Sequence, residues 1–340
     1  MVTLSDIARE AGVSVSVASR VLNRDATLRI RETTRERVVE VARRLDYAPN
    51  HRARSLRLAR TGAIAFVVPE VNNAIFAEVV RGVEDGADEL GLDVLMGSGT
   101  RLDPGTGFLE RLDSQRRVDG FLIQPLDTAG PGDVFAGRNA PEVWLNTFRP
   151  DGSVYLDNAA GARVAVEHLL ALGHTRIGLV GGRDGSYTAR ERRAGYIETL
   201  KEAGQVPRPE WATAYGYSAA EGRRAGLDLL GDDGGSPGPG GERPTALLVA
   251  NVNAAIGVLG AARELDVAVP GDVSVVALHD VWFAEYSEPG LTVVRLPLYE
   301  MGYHGIHDLH RRVSGEPAGA RRIVDPAPRL VVRGSTAPAA

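Results

Sequence analysis

In the stretch AGVSVSVASRVLN, Ala11 to Asn23, two short side chains, Val15 and Ser16, stand about one helical turn ahead of Arg20. A helix that reads base edges in a DNA major groove needs this arrangement. Small residues let the backbone approach, and an arginine fork meets O6 and N7 of guanine with two bonds. Val15 suits a thymine methyl group, and Ser16 a base edge or a phosphate oxygen. An ordinary helical hairpin with a solvated arginine would read the same way. Further along, apolar runs end in Asn72 and Asn73, Gln124, Asn146, Gly181 and Gly182, Asn251, and His279 with Asp280. Amides, one histidine and one carboxylate suit a neutral polyhydroxyl ligand, with aromatic rings stacking on its apolar face. Arg192, which follows the loop GGRDGSYTAR, is a candidate anchor for such a ligand. His279 and Asp280 also form a candidate acid–base pair. No nucleophile motif or metal-ligand cluster accompanies them, so the expectation is a non-enzyme without metal or cofactor. The GGRDG loop lacks the lysine of a phosphate loop and the spacing of a dinucleotide fingerprint. Because histidine titrates near neutrality, ligand affinity is expected to vary with pH between roughly 5.5 and 8.

Helical elements must position the first group. Thr3 is placed to cap a first helix, with Asp6 three residues on as its capping-box partner. Leu4, Ile7, Ala8 and Ala11 form one apolar face; Gly12 stops the helix and Ser14 caps the next. Val17, Ala18, Val21 and Leu22 then turn inward, leaving Val15, Ser16 and Arg20 outward. A third helix is expected from Thr34 to about Leu45, followed by a break at Tyr47-Ala48-Pro49. The next piece, Asn50 to Arg57, is short and basic with one prominent apolar residue, Leu56. It reads as a charged linker, or as a helix that forms only on DNA with Leu56 wedged between base pairs. The second group sits in a different pattern. Apolar runs such as AIAFVVP alternate with amphipathic helices such as Phe76 to Leu90, and the alternation restarts downstream. That predicts an open α/β body of two lobes with a cleft between them, where ligands bind at the carboxyl ends of the strands. The low-complexity run from Gly231 to Pro244 is expected to be a disordered insert.

Charge is divided in the same way. Residues 1–60 hold 13 arginines against 7 acidic residues, a net of +6, while the remainder holds 26 basic and 37 acidic residues, a net of −11. A basic head on an acidic body fits a polyanion-binding module joined to something else. There are no cysteines, which excludes disulfides and thiolate chemistry. No apolar run reaches the roughly 18 residues of a membrane helix, and no signal peptide is evident, so a cytoplasmic, nucleoid-associated protein is expected.

Several further motifs occur in order: VTLSDIAREAGVSVSVASRVLN, TTRERVVEVARRLDYAPN, HRARSLR, VDGFLIQP, ARERRAGY, TALLVAN, PGDVSVVALHD and LTVVRLPLYEMG. Together they resemble the lactose-repressor and galactose-repressor family of bacterial transcription regulators over nearly the whole chain. The resemblance implies an all-α helix-turn-helix head over residues 1–48 and a hinge over 49–60. It also implies a two-lobed α/β body like a periplasmic sugar-binding protein over 61–340, with lobes at about 61–160 plus 291–325 and at 161–290. It implies base reading by Val15, Ser16 and Arg20, and backbone contacts from Thr3, Ser5, Ser14 and Ser19. A minor-groove hinge would fall at Asn50, Ala53 and Leu56. Effector contacts would fall on Ile75, Phe76, Asn146, Thr188, Arg192, Tyr217, Asn251 and His279. The partners implied are double-stranded operator DNA, a small effector of the sugar or glycoside class, and a second copy in a homodimer; repression relieved by the effector is the commonest family mode. Departures from the family pattern are Val17 for threonine, Ala74 for proline, Val252 and His279 for aspartates, and a loop, RDATLRIRE, two residues longer than usual. The rival readings are a sugar-binding module without DNA regulation and an enzyme built on His279 and Asp280.

Overall fold

The computed structural model describes residues 2–22, 25, 27–47, 60–69, 71, 73–98, 108–125, 140–231 and 242–339. The hinge residues Asn50, Ala53 and Leu56, together with Asn72 and most of the low-complexity run, lie outside the described residues. The chain divides into two compact units, residues 1–61 and 62–340.

The first unit is three helices, α1 (Leu4–Glu10), α2 (Val15–Leu22) and α3 (Glu32–Arg44). Thr3 and Asp6 form the reciprocal capping box of α1, and the hydroxyl of Ser14 accepts the Val17 amide at 3.2 Å to start α2. Between them Gly12 takes a φ of +62°, a left-handed turn that a side chain would strain. The apolar faces of the three helices close on Ile7, Ala8, Ala11, Ala18, Val21, Val38, Val41 and Ala42, and Leu28 of the connecting loop fills the remaining side. Arg37 donates from Nε to the carbonyl of Ala11 at 2.9 Å, so α3 also satisfies a free carbonyl at the end of α1. The third helix begins two residues earlier than its apolar pattern indicates, because its first turn is acidic and exposed rather than packed.

The second unit holds two six-stranded sheets. The first has β1 (Ala63–Val68), β2 (Asp93–Ser98), β3 (Phe121–Ile123), β4 (Glu142–Leu145), β5 (Ser153–Leu156) and β11 (Ala320–Ile323), in the order β11-β5-β4-β3-β1-β2. The second has β6 (Ile177–Val180), β7 (Ala212–Thr213), β8 (Ala246–Val249), β9 (Ser274–Leu278), β10 (Thr292–Arg295) and β12 (Arg329–Val331), in the order β12-β10-β9-β8-β6-β7. All the pairings are parallel except β10 with β12. Parallel strands buried on both faces explain the unbroken runs AIAFVV and SVVAL.

Helices α4 (Phe76–Leu90) and α5 (Phe108–Ser114) belong to the first lobe; α6 (Asn158–Ala171), α7 (Tyr187–Glu202), α8 (Ala219–Leu230), α9 (Val252–Glu264) and α10 (Trp282–Tyr286) belong to the second. The long α11 (Leu298–Val313) returns to the first, packing Leu298, Met301, Ile306 and Leu309 into its core. Gly302 permits this, because a Cβ there would fall onto the backbone of Val79 in α4.

The chain therefore crosses between lobes three times, and two expected boundaries need correction. The strand 292–295 belongs to the second lobe rather than the first, since Val293 and Val294 pair with Ala277 and Leu278 of β9. The crossing follows Arg295, and after β11 the chain crosses again, so that β12 completes the second sheet. The second lobe also starts earlier than residue 161, at the helix α6 that Asp157 caps through the Ala160 amide.

Candidate functional site

In the first unit the base-reading candidates lie at the exposed start of α2. Val15 is 45% exposed and Ser16 is exposed. Arg20, one turn on, is half-buried, donating from Nε to Oδ2 of Asp25 at 2.7 Å and from a terminal nitrogen to the Thr27 hydroxyl at 2.8 Å. Thr3 and Ser5 are exposed at the start of α1, and Ser14 is exposed at the start of α2. Helix starts of this kind carry unpaired amides and the positive end of the helix dipole, which suits phosphate oxygens. Ser19 is partly buried on α2.

In the second unit all eight effector candidates, Ile75, Phe76, Asn146, Thr188, Arg192, Tyr217, Asn251 and His279, line one cavity of about 190 Å3. It lies at the carboxyl ends of strands from both sheets. Pro69, Ile75, Phe76 and Leu298 make an apolar wall, and the rest is polar. A buried chain of hydrogen bonds crosses the floor from one lobe to the other. Nδ2 of Asn158 donates to Oδ1 of Asn146 at 2.9 Å; Nε of Arg192 donates to Oδ1 of Asn158 at 2.9 Å. Arg192 then donates to the carbonyl of Ala250 and to Nε2 of His279, the latter at 2.8 Å. Since an arginine only donates, Nε2 of His279 accepts and its proton sits on Nδ1. Burial first, and then the Arg192 charge, push the His279 pKa well below its ordinary value. The imidazole is therefore already neutral across physiological pH. The expected variation of affinity between roughly pH 5.5 and 8 loses its basis, because it assumed the pKa of a solvated histidine.

Three buried polar atoms of this lining have no protein partner among the described residues: Nδ1 of His279, Nδ2 of Asn251 and Oε1 of Gln124. The orientation of Asn251 is settled by its other end, where Oδ1 caps α9 through the Ala254 amide at 2.8 Å. Two donors and one acceptor of the lining are thus left for a bound polar group to satisfy. Backbone geometry singles out the same place. Five described non-glycine residues have positive φ; Asp46, Arg116 and Asp266 directly follow helices, where that conformation is ordinary, but Asn146 and His279 follow strands and line the cavity. Tyr217 bonds to the Thr188 hydroxyl at 2.8 Å and lies over Gly182, where any Cβ would collide with its ring. At the mouth, Nδ2 of Asn253 donates to Oδ1 of Asn73 at 2.8 Å, tying the second lobe to the first.

Asn158 was not foreseen as a site residue, although it is the link between Asn146 and Arg192. In sequence it is only the first residue of a helix, and no local signal shows that its side chain turns inward. Gln124, Asn73 and Asn253 also join the lining. Asp280 does not. Arg295 and Arg333 hold its two oxygens at 2.6 and 2.9 Å, so it faces away from His279's cavity.

Residues 3–50 match the family described as bacterial regulatory proteins, lacI family, and residues 166–336 match the periplasmic binding protein-like domain. The HTH-type transcriptional regulator DegA of Bacillus subtilis (strain 168) is 33% identical over 346 residues, covering 99% of this chain and 98% of its own. The chain belongs to the LacI family. Among solved structures, the lac repressor dimer bound to operator and the anti-inducer ONPF is 28% identical, with a TM-score of 0.79 and 99% of each chain covered. The transcriptional regulator CelR in complex with cellobiose is 28% identical, with a TM-score of 0.69, covering 98% of this chain and 100% of that one. As a member of the LacI family, this chain is a sequence-specific DNA-binding regulator of transcription, with a helix-turn-helix unit followed by a periplasmic-binding-protein-like body. Among its described residues no helix is long and apolar enough to cross a membrane.

Proposed function

We propose that the chain is a homodimeric repressor whose heads each read half of an operator, and that a small polyhydroxyl molecule of the sugar class controls it from the cavity. The observation that carries the effector class is the set of orphaned atoms on His279, Asn251 and Gln124. A hydroxyl group both donates and accepts, so a sugar ring satisfies all three, with Phe76 and Leu298 against its apolar face. The size of the recess favours one ring or two over a long glycan. Binding rather than catalysis is supported by the separation of Asp280 from His279 and by the neutral, hydrogen-bonded state of that histidine. The lac repressor structure, a dimer on its operator, supports the DNA arrangement, and CelR with cellobiose supports the ligand class.

In the head, Val15, Ser16 and Arg20 read bases, while Thr3, Ser5, Ser14 and Ser19 hold the backbone; Asn50, Ala53 and Leu56 form the minor-groove hinge. The deciding experiment selects a preferred duplex from a randomised pool with the full-length protein, then compares it with random DNA. Arg20→Ala is expected to cost about 1–3 kcal/mol on the selected duplex and little on random DNA. Equal weakening on both would remove base reading from Arg20. A thermal-shift screen of mono- and disaccharides tests the cavity: a saturating ligand at 100 times its Kd adds about 2.7 kcal/mol of stability.

A further inference from the structure

The arginine on the reading helix is held by the very loop that departs from the family pattern. Asp25 and Thr27 both lie in RDATLRIRE, the connection between α2 and α3. The Asp25 amide donates to the carbonyl of Arg20 at 3.0 Å, and Leu28 is buried in the core of the unit, so both ends of the segment are anchored. Oδ1 of Asp25 accepts from the Thr27 amide at 2.8 Å and from its hydroxyl at 2.7 Å. Its other oxygen accepts from Nε of Arg20 at 2.7 Å, and the Thr27 hydroxyl accepts from a terminal nitrogen of Arg20 at 2.8 Å. The three side chains close a ring. Hydrogen bonds from Thr27 first, and then from Arg20, hold the Asp25 carboxyl down to about 2, so it is ionised at neutral pH.

A guanidinium has two edges with parallel N–H pairs: a side edge, made by Nε and one terminal nitrogen, and an end edge, made by the two terminal nitrogens. Asp25 and Thr27 take the side edge. Among the described residues nothing takes the end edge, and the side chain of Arg20 remains 42% exposed. Only one oxygen of Asp25 meets the arginine; the other is spent on the loop itself, and Thr27 supplies the second acceptor on that edge. An acidic side chain beside a DNA-reading helix is also unfavourable for phosphate attraction, which argues that it is kept for geometry.

We propose that Asp25 and Thr27 are positioning residues for base recognition, fixing the guanidinium of Arg20 so that its end edge is aimed at a single guanine. Pinning the long side chain before DNA arrives reduces the rotamer freedom lost on binding and narrows the base pairs it accepts. The inference rests on the reading that Arg20 contacts a base.

The test uses the full-length protein and the duplex selected from a randomised pool, with each half-site G·C pair replaced in turn. For Thr27→Val and Asp25→Ala, preference for one G·C pair in each half-site is expected to fall on the order of tenfold. Affinity for random duplex should stay equal for Thr27→Val, and equal or higher for Asp25→Ala, which removes a negative charge. In the double variant Arg20→Ala/Asp25→Ala, the preference should be no weaker than in Arg20→Ala alone. Should Asp25→Ala fail to fold, Thr27→Val and Asp25→Asn carry the same comparison. If Arg20→Ala abolishes the preference while Thr27→Val and Asp25→Ala leave it intact, or only raise affinity for all DNA, bracing is overturned. If Arg20→Ala leaves the preference unchanged, base reading by Arg20 fails instead, and the bracing falls with it.

Discussion

Burial and the neighbouring Arg192 guanidinium both disfavour a charge on His279, and the linkage has a definite sign. Its folded pKa lies below its unfolded value of about 6.5, so the stability it contributes is complete above that pH and is lost as the pH falls below it. For one such group the loss is up to about 1.4 kcal/mol per pH unit. His168, His174 and His304 are displaced downward too, each mainly by burial, and add to the decline. Melting temperature should therefore drop between pH 6.5 and 5, and His279→Asn should drop less steeply. Asparagine is neutral at every pH and tolerates the φ of +72° at this position. A variant as steep as the parent would place the pH dependence elsewhere. Effector affinity in the parent should be nearly constant over roughly pH 6.5 to 8, since the imidazole lining the cavity does not change charge there.

Among the elements, α11 and α4 together build the apolar wall of the cavity. The former starts with Leu298 in the cavity wall and continues along α4, whose first residue, Phe76, lines the same wall. The two helices touch backbone to backbone at Gly302 and Gly82, where any Cβ would collide with Val79 or with Tyr299 and Tyr303. Tyr299 and Tyr303 then reach from α11 to Asp85 and Glu89 of α4 at 2.9 and 2.7 Å. Gly302→Ala is expected to force the helices apart and cost about 1–3 kcal/mol, as overpacking does. It should lower both the unfolding midpoint of the body and the affinity for effector. An unchanged midpoint would mean that the pair already has slack. The apolar stripe of α11 is plain in its residues, but nothing local says which of the two sheets it covers.

For the molecule as a whole, the cavity exists only because the chain crosses between lobes three times and brings strand ends from both sheets together. A polar tie from Asn253 to Asn73 spans its mouth. Asn253→Ala removes a hydrogen bond worth about 0.5–1.5 kcal/mol from the arrangement in which the lobes meet. Effector affinity should weaken by roughly two- to tenfold, because the ligand must then favour that arrangement more strongly by itself. Isothermal calorimetry with the sugar found in the screen measures it, and identical affinities would show that closure does not use this bond. Regulation by the effector requires such a difference between lobe arrangements, whatever its sign at the operator.

Much of this was legible without coordinates. The helix starts at Thr3 and Ser14, the outward Val15, Ser16 and Arg20, and the alternation of buried strands and helices follow from local rules of capping and periodicity. Polar residues at strand ends pointed to Asn146, Asn251 and His279, because an open parallel sheet leaves its ligand groups there, whereas Ile75, Phe76, Thr188 and Tyr217 were implied only by the family resemblance. What needed the tertiary structure is of another kind. The inward turn of Asn158, the proton on Nδ1 of His279 and the diversion of Asp280 to Arg295 and Arg333 all depend on partners far away in sequence. The same holds for β10 and β12, which join the second sheet because of pairing, not composition. Local sequence sets which conformations a segment prefers; which distant groups meet, and hence which charges survive burial, is decided only when the whole chain packs.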